Sequence, residues 1–138
     1  MSNIRHLREK TADSEKITIN LGYVDLGRID LLVQEGFYSN RSDLIRTAIR
    51  NQLESHVEVV SKSLERHTME LGLRDYTVAD LEALKAAGEV LHVKVVGLAR
   101  IASDVTPQLA LDTIGSITVL GALQASADIK KALADRIK

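Results

Sequence analysis

The sequence predicts an α+β protein in two parts. The first is an N-terminal strand followed by two helices, with the strand completing a two-stranded antiparallel ribbon against a second copy of the chain. The second is a small C-terminal domain of repeated strand–helix units. Three observations carry this reading. Lys16-Ile17-Thr18-Ile19-Asn20-Leu21 alternates polar and apolar residues strictly; the residues up to Glu54 place apolar side chains at helical spacing between capping signals; and the C-terminal part matches itself after a slide of 24 residues.

The alternation comes first because it sets a chemical problem. Side chains two apart on a strand share a face, so Ile17, Ile19 and Leu21 form an apolar side and Lys16, Thr18 and Asn20 a hydrogen-bonding one. A single short strand leaves backbone groups unpaired on both edges. The next fifty residues read as helical, so the simplest partner is the same strand of another copy. A two-stranded ribbon fits the major groove of B-DNA, where Lys, Thr and Asn can read base edges. Lys16, Thr18 and Asn20 are therefore the candidate base-contacting residues.

The helices follow in order. Gly22 lets the chain turn, Asp25 is placed to N-cap a helix, and Leu26, Ile29, Leu32 and Val33 share one face of it. Gly36 stops that helix. Ser39 or Asn40 caps a second helix, whose buried face carries Leu44, Ile45, Ala48, Ile49 and Leu53. The positive end of this second helix suits a phosphate, which Arg41 and the hydroxyls of Ser39 and Ser42 can join. The expected dimer core is Ile17, Ile19, Leu21, Ile29, Leu32, Leu44, Ile45, Ala48 and Ile49.

Residues 16–54, with the strand KITINL, the turn GFYSNRSD and the helix LIRTAIRNQL, resemble the ribbon-helix-helix superfamily of MetJ/Arc/CopG-like transcriptional regulators. The resemblance covers about forty residues. It implies intertwined protomers, groove-facing side chains at Lys16, Thr18 and Asn20, and phosphate contacts at Ser39, Asn40, Arg41 and Ser42. Leu21-Gly22 departs from the family, where a proline often follows the strand.

Beyond Glu54, Leu53, Val57, Val60, Leu64, His67 and Leu71 step by fours and threes, the seam of a coiled coil or helix pair. One helix of about thirty residues, Asn40 to Leu71, is therefore expected, with Gly72 as its stop and Ser61-Lys62-Ser63 as the place for a break. His67 on that seam is expected to be packed. Residues 90–96 and 116–120 read as strands, and residues 80–87, 107–113 and 127–137 as short helices. Val95-Val96-Gly97-Leu98-Ala99 falls on Val119-Leu120-Gly121-Ala122-Leu123, and Asp104-Val105 on Asp128-Ile129, which points to stacked units with an open end. A ferredoxin-like βαββαβ ligand domain is the alternative. The expected divisions are an arm at 1–15 (with Arg5, His6, Arg8 and Lys10 able to touch phosphates), the ribbon-helix-helix part at 16–56, a helical extension at 57–72 and the repeat domain at 73–138.

Composition narrows the chemistry. The absence of cysteine removes disulfides, thiolate metal sites and cysteine nucleophiles, and is compatible with a reducing cytoplasm. Aromatics are only 3% of the chain, which disfavours stacked-base recognition. A net charge of −1 makes any DNA-binding charge local. The apolar runs are too short to span a bilayer, and the start lacks a signal-peptide core. His6, His56, His67 and His92 lack metal-ligand spacing, and no catalytic or nucleotide-binding motif is present. The partners expected are double-stranded DNA and the chain itself, as a homodimer with higher order through the C-terminal domain. No catalytic residue, metal or other cofactor is expected. The alternative is an antitoxin or assembly platform, in which the first part dimerises and the C-terminal domain binds a partner protein or self-assembles.

Overall fold

The computed structural model describes residues 14–138, and these fall into two compact units, 14–63 and 64–138. The predicted arm at 1–15 lies almost wholly outside the described residues.

The first unit contains residues 14–22, which form neither helix nor strand, then α1 (Tyr23–Gln34), α2 (Arg41–Glu54) and the start of α3 (Val57–His67). Gly22, not Asp25, is the N-cap of α1, with extended backbone and no side-chain hydrogen bond. Glycine is tolerated at that position, so the helix starts early and Asp25 falls in its first turn, where a carboxylate suits the positive end. Gly36, at φ +87°, ends α1: its N–H reaches the Val33 carbonyl at 3.1 Å and the Phe37 N–H the Leu32 carbonyl at 3.0 Å.

The long helix expected from Asn40 to Leu71 is not continuous. It breaks at Ser55-His56, ahead of the Ser61-Lys62-Ser63 stretch, and ends at His67. At the first point the Ser55 Oγ donates to the Gln52 carbonyl at 2.6 Å, a local bond that competes with helix propagation. At the second, Thr68 adopts φ +55° and the Met69 N–H closes onto the Leu64 carbonyl at 2.9 Å. His67 is exposed rather than packed.

Leu71 and Gly72 therefore lie in a strand that the heptad pattern hid. The second unit runs β1 (Glu70–Tyr76), α4 (Val78–Ala87), β2 (Leu91–Ile101), α5 (Pro107–Thr113), β3 (Ile114–Gln124), α6 (Ala127–Ala132) and a 3₁₀ turn (Ala134–Arg136). The expected boundary at 72/73 is corrected to a strand beginning at Glu70, and the expected helix at 127–137 is a six-residue helix plus that turn. All three strands are parallel in the order β1-β2-β3, which rules out the ferredoxin-like alternative with its antiparallel neighbours.

Each helix begins at a side-chain cap, Thr77 for α4, Thr106 for α5 and Ser126 for α6. Thr77 and Asp80 form a reciprocal capping box. The helices lie against one face of the sheet and bury Leu81, Ile129 and Leu133 against Val93, Val95, Ala99 and Ile117. Register partners are 25 residues apart between β1 and β2 and 24 apart along most of β2 and β3, so Gly72, Gly97 and Gly121 form a row across the sheet. Their φ angles are +129°, +139° and +120°, and a Cβ on Gly97 or Gly121 would run into the carbonyl of the preceding glycine in the row. The self-match does not extend to the helices, because Asp104 and Val105 precede α5 whereas Asp128 and Ile129 lie inside α6.

On the sheet face away from the helices, polar pairs flank exposed leucines. His92 bonds Ser116 through Nδ1 and Oγ at 2.8 Å, Arg100 donates from Nε to Gln124 Oε1 at 3.0 Å, and Leu71, Leu73 and Leu120 are exposed between these polar rows.

Candidate nucleic-acid interface

Residues 14–63 contain no buried side chain. Ile17 is 74% exposed, Ile19 59% and Leu21 37%, and Leu32, Ile49, Leu53, Val57 and Val60 are exposed on the helices. Ile29, Leu44 and Ile45 are only half-buried, and Ala48 is exposed. The residues expected to form a core are thus present on the helices and the segment before them, but a single chain does not cover them. Lys16, Thr18 and Asn20 are exposed too, alternating in sequence with the isoleucines; the strand expected at residues 16–21 is not formed in the single chain, where the segment pairs with no strand among the described residues.

At the start of α2 the turn is held by reciprocal hydrogen bonds. Asn40 is the N-cap, and its Oδ1 accepts from the Asp43 N–H at 2.8 Å. Asp43 Oδ2 in turn accepts from the Ser39 N–H at 2.9 Å. The first helical bond runs from the Leu44 N–H to the Asn40 carbonyl at 3.3 Å. This leaves the N–H groups of Arg41 and Ser42 pointing out of the helix end, the geometry that receives an anion. Ser39 and Ser42 are exposed beside them.

Arg41 has a partner that the sequence did not signal. Its Nε and Nη2 donate to the two carboxylate oxygens of Asp30 on α1, both at 2.8 Å. The hydrogen bonds from Arg41 hold the Asp30 carboxyl below the usual carboxylate range, and the same pair raises Arg41 further. Three of the five guanidinium N–H donors remain, so the side chain is oriented rather than consumed. The eleven-residue separation of Asp30 and Arg41 follows no local pattern. Asp43 was legible as a first-turn acid, but its bond back to Ser39 was not foreseen.

Among the described residues no three or more His, Asp or Glu side chains gather into a group that could hold a metal ion, and no helix is long and apolar enough to cross a membrane.

A segment of alternating polarity followed by two helices joined by a capped turn is the element order of a ribbon-helix-helix protein. Residues 12–130 match the Ribbon-Helix-Helix transcriptional regulator family, and the chain belongs to that family. The match runs well past the forty residues that carry the motif and takes in the parallel sheet. Searches of curated proteins and of solved structures returned no match.

Proposed function

We propose that this regulator acts as a homodimeric, sequence-specific DNA-binding repressor in the cytoplasm, with its own operon as a candidate target. The observation that carries the reading is the first unit's lack of any buried side chain, combined with the exposure of Ile17, Ile19 and Leu21 in the segment before α1. Pairing two such segments antiparallel would bury Ile17, Ile19 and Leu21 between the protomers, together with Ile29, Leu32, Leu44, Ile45, Ala48 and Ile49. Lys16, Thr18 and Asn20 would then face outward, at a width that enters a major groove. The α2 N-terminus would take a backbone phosphate through the Arg41 and Ser42 N–H groups, with the Ser39 and Ser42 hydroxyls and the free donors of Arg41 alongside. Asn40 would shape that end as its cap.

The test is a gel shift and footprint on the duplex upstream of the protein's own gene. Binding should fall steeply with salt, since phosphate contacts release counterions. Thr18→Ala or Asn20→Ala should cost about 1–3 kcal/mol at one base position, whereas Arg41→Ala should weaken all sequences alike. Variants at Thr18 and Asn20 that footprint as the parent does would remove the assignment of base readers.

A second reading is favoured by the sheet face with Leu71, Leu73 and Leu120 exposed: the first unit dimerises and the second holds a protein partner, as an antitoxin would. No specific shift on the upstream duplex, together with capture of a partner by that face, would select it.

A further inference from the structure

We propose that the C-terminal unit associates head to tail, with β1 of one copy continuing the parallel sheet beyond β3 of another. The glycine row carries this. At Gly97 and Gly121 the space where a Cβ would stand is filled by the carbonyl of the preceding glycine, Gly72 and Gly97 respectively. Gly72 has the same left-handed backbone, yet among the described residues nothing lies within 4 Å of where its Cβ would be. At the other end of the row, the repeated geometry turns the Gly121 carbonyl out of the free edge of β3. Among the described residues the row therefore ends in open space beside Gly72 on one side and the outward Gly121 carbonyl on the other, and each fits the other.

The lengths agree. Residues 137–138 cover β3 at Ile117, where Ile137 forms a bridge and the Lys138 N–H meets the Ile117 carbonyl at 2.8 Å. Among the described residues, no strand pairs with that side of β3 from Thr118 to Gln124. Continuing the sheet with Gly72 beside Gly121 sets Glu70 against Val119 and Asp75 against Gln124, so β1 begins just past the covered part. The same register brings together Leu71, 68% exposed, and Leu120, 61% exposed, on one face.

Charge selects the same partner. Residues 70–89, spanning β1 and α4, hold five carboxylates against Arg74 and Lys85. Residues 119–138, spanning most of β3 and all of α6, hold four cations, among them Lys130 and Lys131, against Asp128 and Asp135. The two segments thus carry opposite net charge, which favours docking one on the other and opposes pairing either with itself. Such a contact is heterologous, so repeated use gives a ring or an open filament.

The inference does not depend on DNA binding, and its readout contains no DNA. The full chain has no cysteine, which permits a clean cross-linking test. Leu71→Cys and Leu120→Cys are prepared separately and as a mixture, and treated with a short bis-maleimide. The mixture should cross-link while neither single variant does alone. No cross-link in the mixture, or equal cross-linking of a single variant with itself, would overturn the proposal.

Discussion

Ile19→Ala offers the most direct measure of whether the first unit is half of a shared core. Isoleucine exceeds alanine by three carbons, each worth about 0.8 kcal/mol on burial, or about 2.4 kcal/mol in full. Ile19 is 59% exposed in the single chain, so about 1.4 kcal/mol per chain is left for a partner to gain by covering it. A twofold dimer contains the residue twice, giving about 2.8 kcal/mol, or about a 100-fold rise in the dimer Kd. Residual cavities would add to that. The assay is sedimentation equilibrium over a dilution series in a Leu120→Lys background, which keeps association through the β3 edge out of the measurement. Thr18→Ala, on the opposite side of the same segment, serves as the control and should leave the dimer Kd unchanged while weakening DNA binding. If Ile19→Ala shifts the dimer Kd less than about threefold, the apolar side of the segment is not the dimer seam, and the burial arithmetic above is wrong.

Two further outcomes concern the C-terminal unit. Gly97→Ala should destabilise it by on the order of 3 kcal/mol or more, read from urea unfolding, because it combines a left-handed φ with a collision against the Gly72 carbonyl; a change within about 0.5 kcal/mol would contradict the close approach. Asp80 is held below the usual carboxylate range by the Thr77 backbone N–H and then the Thr77 side chain, with Arg74 helping. A depressed folded-state pKa contributes stability above the unfolded value, and this is lost as pH falls below about 4 and through the folded pKa. The stability advantage of the parent over Asp80→Asn should therefore be present at pH 6 and shrink toward pH 3. An advantage that persists at pH 3 would show that charge is not its source.

What could be read in the sequence was local. Helix α5 was bounded correctly by Pro107 and Thr113 because a proline in the first turn and a change to β-branched residues mark both ends. The turn before α2 was legible because Asn40, Arg41, Ser42 and Asp43 are first-turn chemistry. Strand β1 was not: ELGLRDY lacks β-branched residues, Leu71 continues a helical seam, and Gly72 reads as a helix stop. Strands β2 and β3 were cut short at Gly97 and Gly121 for a related reason. A glycine in a strand looks like an end unless the neighbouring glycines are known to be aligned with it, and that alignment is a property of the sheet. The Arg41–Asp30 pair escaped for the same reason, since it joins two helices across a turn.

The reciprocal bonds among Ser39, Asn40 and Asp43 bear on how quickly the molecule could engage an operator. They fix the helix entrance within the chain itself, so on the proposed reading a phosphate oxygen would meet two amide N–H groups already in position and little further freedom would be lost on contact. On this account the encounter would be governed by approach and alignment of the whole head, not by the folding of a loop around the ligand.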